Sequence, residues 1–82
     1  MQEYANLTGA SGVEAFEADP EGQWIAIRFR GTATRPGRTY RYSAEHADIT
    51  TLIDLALKGQ GLSTYIAQMR PDYDARWTDE DR

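Results

Sequence analysis

The hydrophobic pattern of the chain changes period once, and that change divides it into a sheet and a pair of helices. Across QWIAIRFR (23–30), Ile25, Ile27 and Phe29 alternate with Trp24, Ala26, Arg28 and Arg30. A period of two predicts a strand with one buried face. VEAFEA (13–18) has the β-branched and aromatic content of a shorter strand. The DPEG segment (19–22) between them is a turn, in which Asp opens, Pro fixes φ and Gly closes. TYRYS (39–43) returns as a third strand after the hairpin loop GTATRPGR (31–38), with Tyr40 and Tyr42 on one face and Arg41 on the other.

From residue 47 the spacing is helical. In ADITTLIDLALKG (47–59), Ile49, Leu52, Ile53, Ala56 and Leu57 stand at i, i+3, i+4, i+7 and i+8, one face of an α-helix. Asp48 and Lys58 complement its dipole, and Gly59 is placed to end it. Ser63 is placed to cap a second, short helix over 64–70 with Ile66 and Met69 inward, and Pro71 stops it. Residues 1–10 have no period and read as a loose lead-in, and 74–82 read as an acidic tail frayed beyond Trp77. The expected fold is α+β: a three-stranded antiparallel sheet in the order β-β-β-α-α, with both helices on one face. That face buries Phe16, Ile25, Ile27, Phe29, Tyr40 and Tyr42. The opposite face stays in water and by parity carries Trp24, Arg28, Arg30 and Arg41.

The chain has 82 residues, enough for one domain with a thin core. It has no cysteine, which excludes a disulfide framework and a thiolate zinc site. The start MQEYANLTGASG lacks the basic and apolar regions of a secretory signal, and no apolar run approaches the ~20 residues of a membrane span. A cytoplasmic protein with no membrane association is expected. The net charge of -4 repels phosphates at long range, but the charge is uneven. Arg28, Arg30, Arg35, Arg38 and Arg41 lie within fourteen positions that contain no acid, and carboxylates are dense in PDYDARWTDEDR.

The order of strand, DPE turn, strand, hairpin, YRY, amphipathic helix, glycine joint and short helix resembles the KTSC domain. That family is a module seen at the C-terminus of some lysyl-tRNA synthetases and as small free-standing bacterial or phage proteins. The likeness runs from about Ser11 to about Tyr73, giving an expected domain over 11–73. It rests on Tyr40-Arg41-Tyr42, Asp19 and Pro20, Phe29 before Gly31, Leu52, Ile53 and Ala56, Gly59, and Ile66. Glu45-His46 stands where a Val-Pro pair is usual, and Ser63 stands where the family often has an asparagine. The resemblance implies the β-β-β-α-α fold and carries a suggestion of RNA binding.

Tyr-Arg-Tyr could stack on bases, but Tyr40 and Tyr42 share the core-directed face, and burial tendencies favour the core. Arg41 is then the exposed member. Trp24 beside Arg28, Arg30 and Arg41 is a platform for a phosphate backbone or an unstacked base, or else a cation–π cover on an exposed sheet, or a set of arginines paired with Glu14 and the acidic tail. The EHAD segment (45–48) holds the only histidine. One histidine among acids falls short of a four-ligand metal site, and polarity at a helix start accounts for it. KGQGLST lacks the order of a P-loop and reads as a cap and turn. No catalytic constellation is read, no metal site and no cofactor.

The first functional expectation is therefore a non-enzymatic module for RNA or single-stranded nucleic acid, using Trp24, Arg28, Arg30, Arg38 and Arg41, with Tyr40 and Tyr42 as structural motif. The alternative is an acidic protein-interaction module or inhibitor of bacterial or phage origin, meeting a basic protein partner through Asp74, Trp77, Asp79, Glu80 and Asp81. A small hydrolase or metal enzyme ranks third. The chain is expected as a monomer or small homo-oligomer, since an uncovered edge such as 13–18 can pair with another subunit.

Overall fold

The computed structural model describes residues 1–7, 9 and 11–79. Its element order is β1 (Gln2–Glu3), β2 (Val13–Ala18), β3 (Trp24–Phe29), β4 (Arg38–Ser43), α1 (Ile49–Lys58), α2 (Leu62–Met69) and β5 (Ala75–Thr78). The strands form a single sheet in the order β1-β2-β3-β4-β5 with every pair antiparallel. The α+β class and the two helices match the sequence pattern. The sheet has five strands, not three.

Both extra strands come from segments too short to show a sustained hydrophobic period. A three-stranded sheet would leave the outer N–H and C=O groups of β2 and β4 unpaired, and the chain termini are there to pair with them. Gln2 and Glu3 lie opposite Phe16 and Ala15. The lead-in is not loose, because Tyr4 is buried and its hydroxyl accepts from the Leu62 amide at 3.4 Å. Farther along, the Leu7 amide donates to the Gly59 carbonyl at 2.8 Å. At the other end, Ala75–Thr78 pairs with β4, placing Trp77 opposite Thr39 and Arg76 opposite Tyr40.

Of the expected sheet residues, Phe16, Ile25, Ile27 and Tyr42 are buried, while Phe29 and Tyr40 are only partly buried against the core. Val13, Phe16, Ile25, Ile27 and Tyr42 of the sheet pack in one cluster with Tyr4, Ile49, Leu52, Ala56 and Leu62. The turn before β3 is built as its residues imply: the Asp19 carboxylate accepts from the Glu21 and Gln23 amides, and Gly22 has φ 75°. In α1, Asp48 caps by accepting from the Thr51 amide, Lys58 pairs with Asp54, and Gly59 ends the helix in the left-handed region. Any side chain at Gly59 would also collide with Ala5, whose Cβ lies 2.5 Å from the position a Cβ would take.

The second helix begins earlier than expected, at Leu62, after a left-handed Gly61 and with no side-chain cap from Ser63. Leu62 is fully buried and fills the core at the start of the helix, while Met69 at its far end is exposed. Leu57 is likewise exposed, so the inward stripe of α1 is Ile49, Leu52 and Ala56, all buried, with Ile53 partly buried against the same core. Arg70 closes α2 with φ 45°, outside helical geometry just before Pro71. Among the described residues no helix is long and apolar enough to cross a membrane.

Candidate functional site

The sheet has two unlike faces, and the arginines of the sequence cluster divide between them. Register and alternation put Trp24, Arg28 and Arg41 on the face away from the helices, joined there by Trp77 of β5. Arg28 is not free on that face. Its Nε donates to Glu14 at 2.6 Å, and its two terminal nitrogens donate to the two Asp79 oxygens at 2.7 Å each. The Glu14 contact follows from a bulge: Val13 pairs with Phe29 and Ala15 with Arg28, so Glu14 is the extra residue between them. The Asp79 contact follows from β5. Hydrogen bonds donated to Asp79, and next to Glu14, hold the guanidinium firmly charged.

Gly37 forms the floor of this clamp, where a Cβ would sit 2.8 Å from Asp79 Oδ2 and 2.9 Å from Arg28 Nη2. Arg41 lies over the Trp24 ring, with Cζ 5.0 Å from its centroid. Arg30 follows β3 and is exposed. Alternation places Glu3 and Glu17 on the same face as Glu14, and Arg28 is the arginine there that pairs with carboxylates among the described residues.

Arg38 belongs to the other face. It is two residues from Tyr40 on the same strand, and alternation turns both toward the helix side. Its guanidinium lies 5.5 Å from the Phe29 centroid, and its Nε donates to the Tyr40 hydroxyl at 3.3 Å. Tyr42 at one end of β4 is buried in the helix-packed core, whereas Arg38 and Tyr40 toward the other end are only partly buried. There Arg38, Tyr40, Arg76 and Thr78 join Arg35 and Pro36 in lining a cleft of about 180 Å³.

Tyr40 is half-buried at the centre of this region, packed edge-on to Phe29 and 5.0 Å from the Tyr73 ring. Arg76 approaches the Tyr40 ring, with Cζ 5.9 Å from its centroid. Tyr42 is buried in the core, where burial pushes its phenol up to about 12. Among the described residues, Arg35, Arg38 and Arg76 form no ion pair.

Hydrogen bonds within the loop before β4 fix the backbone at Arg35. The Thr32 amide donates to the Arg35 carbonyl at 2.8 Å, and the Thr32 hydroxyl accepts from the Arg35 amide at 3.1 Å. Gly31 packs so tightly on the loop that a Cβ there would sit 2.8 Å from the Gly37 nitrogen. Two long-range pairs hold β5, which carries Arg76: Arg28–Asp79 past one end and His46–Asp74 at the other, the latter at 2.8 Å.

The acidic residues of the C-terminal segment are therefore partly committed within the molecule. Asp74 faces His46, Asp79 holds Arg28, and Trp77 is partly exposed opposite Thr39. Glu80 and Asp81 lie outside the described residues. Among the described residues no group of three or more His, Asp or Glu side chains is placed to hold a metal.

No family model, curated protein or solved structure matches the chain. The site thus rests on its own geometry. Of the sequence-derived set, Trp24, Arg28 and Arg41 share one face, Arg38 lies on the opposite one, and Arg30 stands past the end of β3. Arg35 was visible in the basic cluster. Arg76 and Tyr73 carried a weaker signal: ARWT alternates over only four residues, inside a segment whose acids suggest a tail.

Proposed function

We propose that this chain is a KTSC-like, cytoplasmic module of bacterial or phage origin that binds single-stranded nucleic acid, RNA first, without catalysing a reaction. The contact surface in this reading is the Arg35–Arg38–Arg76 cleft with Tyr40 and Tyr73, in place of the Trp24–Arg28–Arg41 face. One observation carries it: three guanidiniums without ion pairs to described carboxylates gather round a half-buried tyrosine, on a chain that is acidic overall. Guanidiniums match phosphate oxygens in fork geometry. The exposed side of Tyr73 offers a base a stacking partner, worth about 1–3 kcal/mol. The resemblance to the KTSC domain carries the same suggestion. The protein-interaction alternative draws less support, because Asp74 and Asp79 already have partners within the chain.

Fluorescence anisotropy with labelled single-stranded RNA and DNA tests the reading. Binding should weaken as salt rises, because each phosphate contact releases counterions. Charge reversal by Arg76→Glu should abolish it, and Arg41→Glu should leave it nearly intact. Absence of binding at micromolar protein in low salt would reject nucleic acid as the ligand. Equal loss in both variants would reject the cleft as its site.

A further inference from the structure

Resting on that reading, we infer that the cleft takes a terminal phosphomonoester, the phosphorylated end of a strand, and not the internal backbone. Size is the first argument. A volume of about 180 Å³ falls below the roughly 300–1,000 Å³ of pockets that enclose a whole small molecule. The cleft accommodates one compact group, while the nucleoside attached to it lies outside.

Charge is the second argument. An internal phosphodiester carries one negative charge, whereas a phosphomonoester carries about 1.5 to 2 at neutral pH and has three acceptor oxygens. Three guanidiniums without a described carboxylate partner suit the more highly charged group. Two of them, Arg38 and Arg76, are diagonal neighbours on the sheet: Arg38 stands opposite Thr78, and Tyr40 opposite Arg76. Diagonal neighbours on one face are about 7–8 Å apart, with their Cβ atoms somewhat closer, a span over which two long arginine side chains can converge on one phosphate. Arg35 closes on them from the loop.

The Tyr40 hydroxyl accepts from Arg38, so its own proton points elsewhere and is available to a phosphate oxygen. Shape is the third argument. The hydrogen-bonded 31–37 loop forms one wall of the cleft, with Arg35 and Pro36 as its lining. A strand end can abut such a wall, whereas a continuing backbone needs an exit on both sides. Tyr73, about half exposed and packed against Tyr40, is placed for the first base to stack on.

The test uses the full chain and one single-stranded sequence, labelled on an internal base, in three forms: 5′-phosphate, 3′-phosphate, and hydroxyls at both ends. One phosphorylated form should bind at least tenfold more tightly than the dihydroxyl form, and the form preferred identifies which end is recognised. Inorganic phosphate at millimolar concentration should compete. Arg76→Ala should reduce the preference to within about twofold. Arg35→Ala, at an exposed loop position, should do the same if Arg76→Ala perturbs the strand. Equal affinity for all three forms overturns end recognition while leaving single-strand binding in place. No binding of any form overturns both. A preference that survives Arg35→Ala and Arg76→Ala places the end elsewhere on the molecule.

Discussion

Arg28 and Arg38 come from the same basic stretch, sit on adjacent strands, and end in opposite electrostatic states. Arg28 is held by Glu14 and Asp79, carboxylates 14 and 51 residues away in sequence. Arg38 rests on the Phe29 ring and the Tyr40 hydroxyl, with no described carboxylate as partner. The cluster was one feature of the sequence and two features of the surface. Linear charge density says where cations are made; strand pairing decides which of them meet an acid. A compensated arginine stabilises the sheet, and an uncompensated one is left to bind.

The two faces share β3 and its core residues, so the comparison breaks most completely where that common support is removed. Ile25 and Ile27 are fully buried. Ile27→Ala should cost about 2–5 kcal/mol in the lost transfer and the cavity left behind. A domain of this size holds about 4–12 kcal/mol in total. Urea denaturation followed by tryptophan fluorescence measures the loss, and the clamp and the cleft should melt together. Separate transitions for the Trp24–Trp77 face and the tyrosine cleft would show that the faces are not one cooperative unit.

Most of the central architecture was legible. The two-residue alternation of Ile25, Ile27 and Phe29, the β-branched and aromatic content of 13–18, the alternation of Tyr40 and Tyr42 with Arg41, and the helical spacing of Ile49, Leu52 and Ala56 located the three central strands and the long helix. Each is a local pattern with a buried side. The two edge strands were not legible in this way. Gln2–Glu3 joins the sheet through its backbone, with both residues exposed, so no side-chain pattern marks it. Ala75–Thr78 is four residues long with no fully buried residue, and its pairing follows from the open edge of β4.

The site depended on those edges. Without β5 there is no Asp79 to compensate Arg28 and no Arg76 to complete the cleft. The opposite placement of Arg38 and Arg41 was nonetheless readable from parity, since residue 38 shares its face with Tyr40 and Tyr42.

A smaller and more selective effect separates the two arginine states. Arg28→Ala removes an exposed pair of ion contacts and should cost roughly 1 kcal/mol or less. The salt dependence of oligonucleotide binding should stay as it was. Arg76→Ala should show the reverse. Thermal stability should stay within about 0.5 kcal/mol, and the slope of log K against log salt should fall by about 0.7, the contribution of one phosphate contact to a single strand. If Arg28→Ala flattens the salt slope as much as Arg76→Ala, the clamp is not withholding Arg28 and the distinction between the faces fails.

The smallest effect concerns the two ends of β5, which are held by pairs with different responses to pH. At one end the hydrogen bond to Asp74 raises His46 above its ordinary 6.5. Asp74 is held below 3.8, first by the Ser43 hydroxyl and then by His46. A raised histidine contributes stability in full below pH 6.5 and loses it as pH climbs through the folded value. A lowered carboxylate contributes above pH 3.8 and loses it as pH falls through the folded value. The latch is therefore complete between 3.8 and 6.5 and weakens on either side.

At the other end Arg28 stays charged throughout, so nothing changes above the carboxylate range. Raising pH from about 5 to about 9 should therefore loosen β5 from the Asp74 end only. Hydrogen-exchange protection factors, corrected for intrinsic rates, should fall more at Ala75 and Arg76 than at Thr78. In His46→Asn that asymmetry should vanish. Equal protection changes along β5 in both proteins would show that the histidine does not hold the strand. Arg76 would then owe its place in the cleft to the backbone ladder and the Arg28 clamp alone.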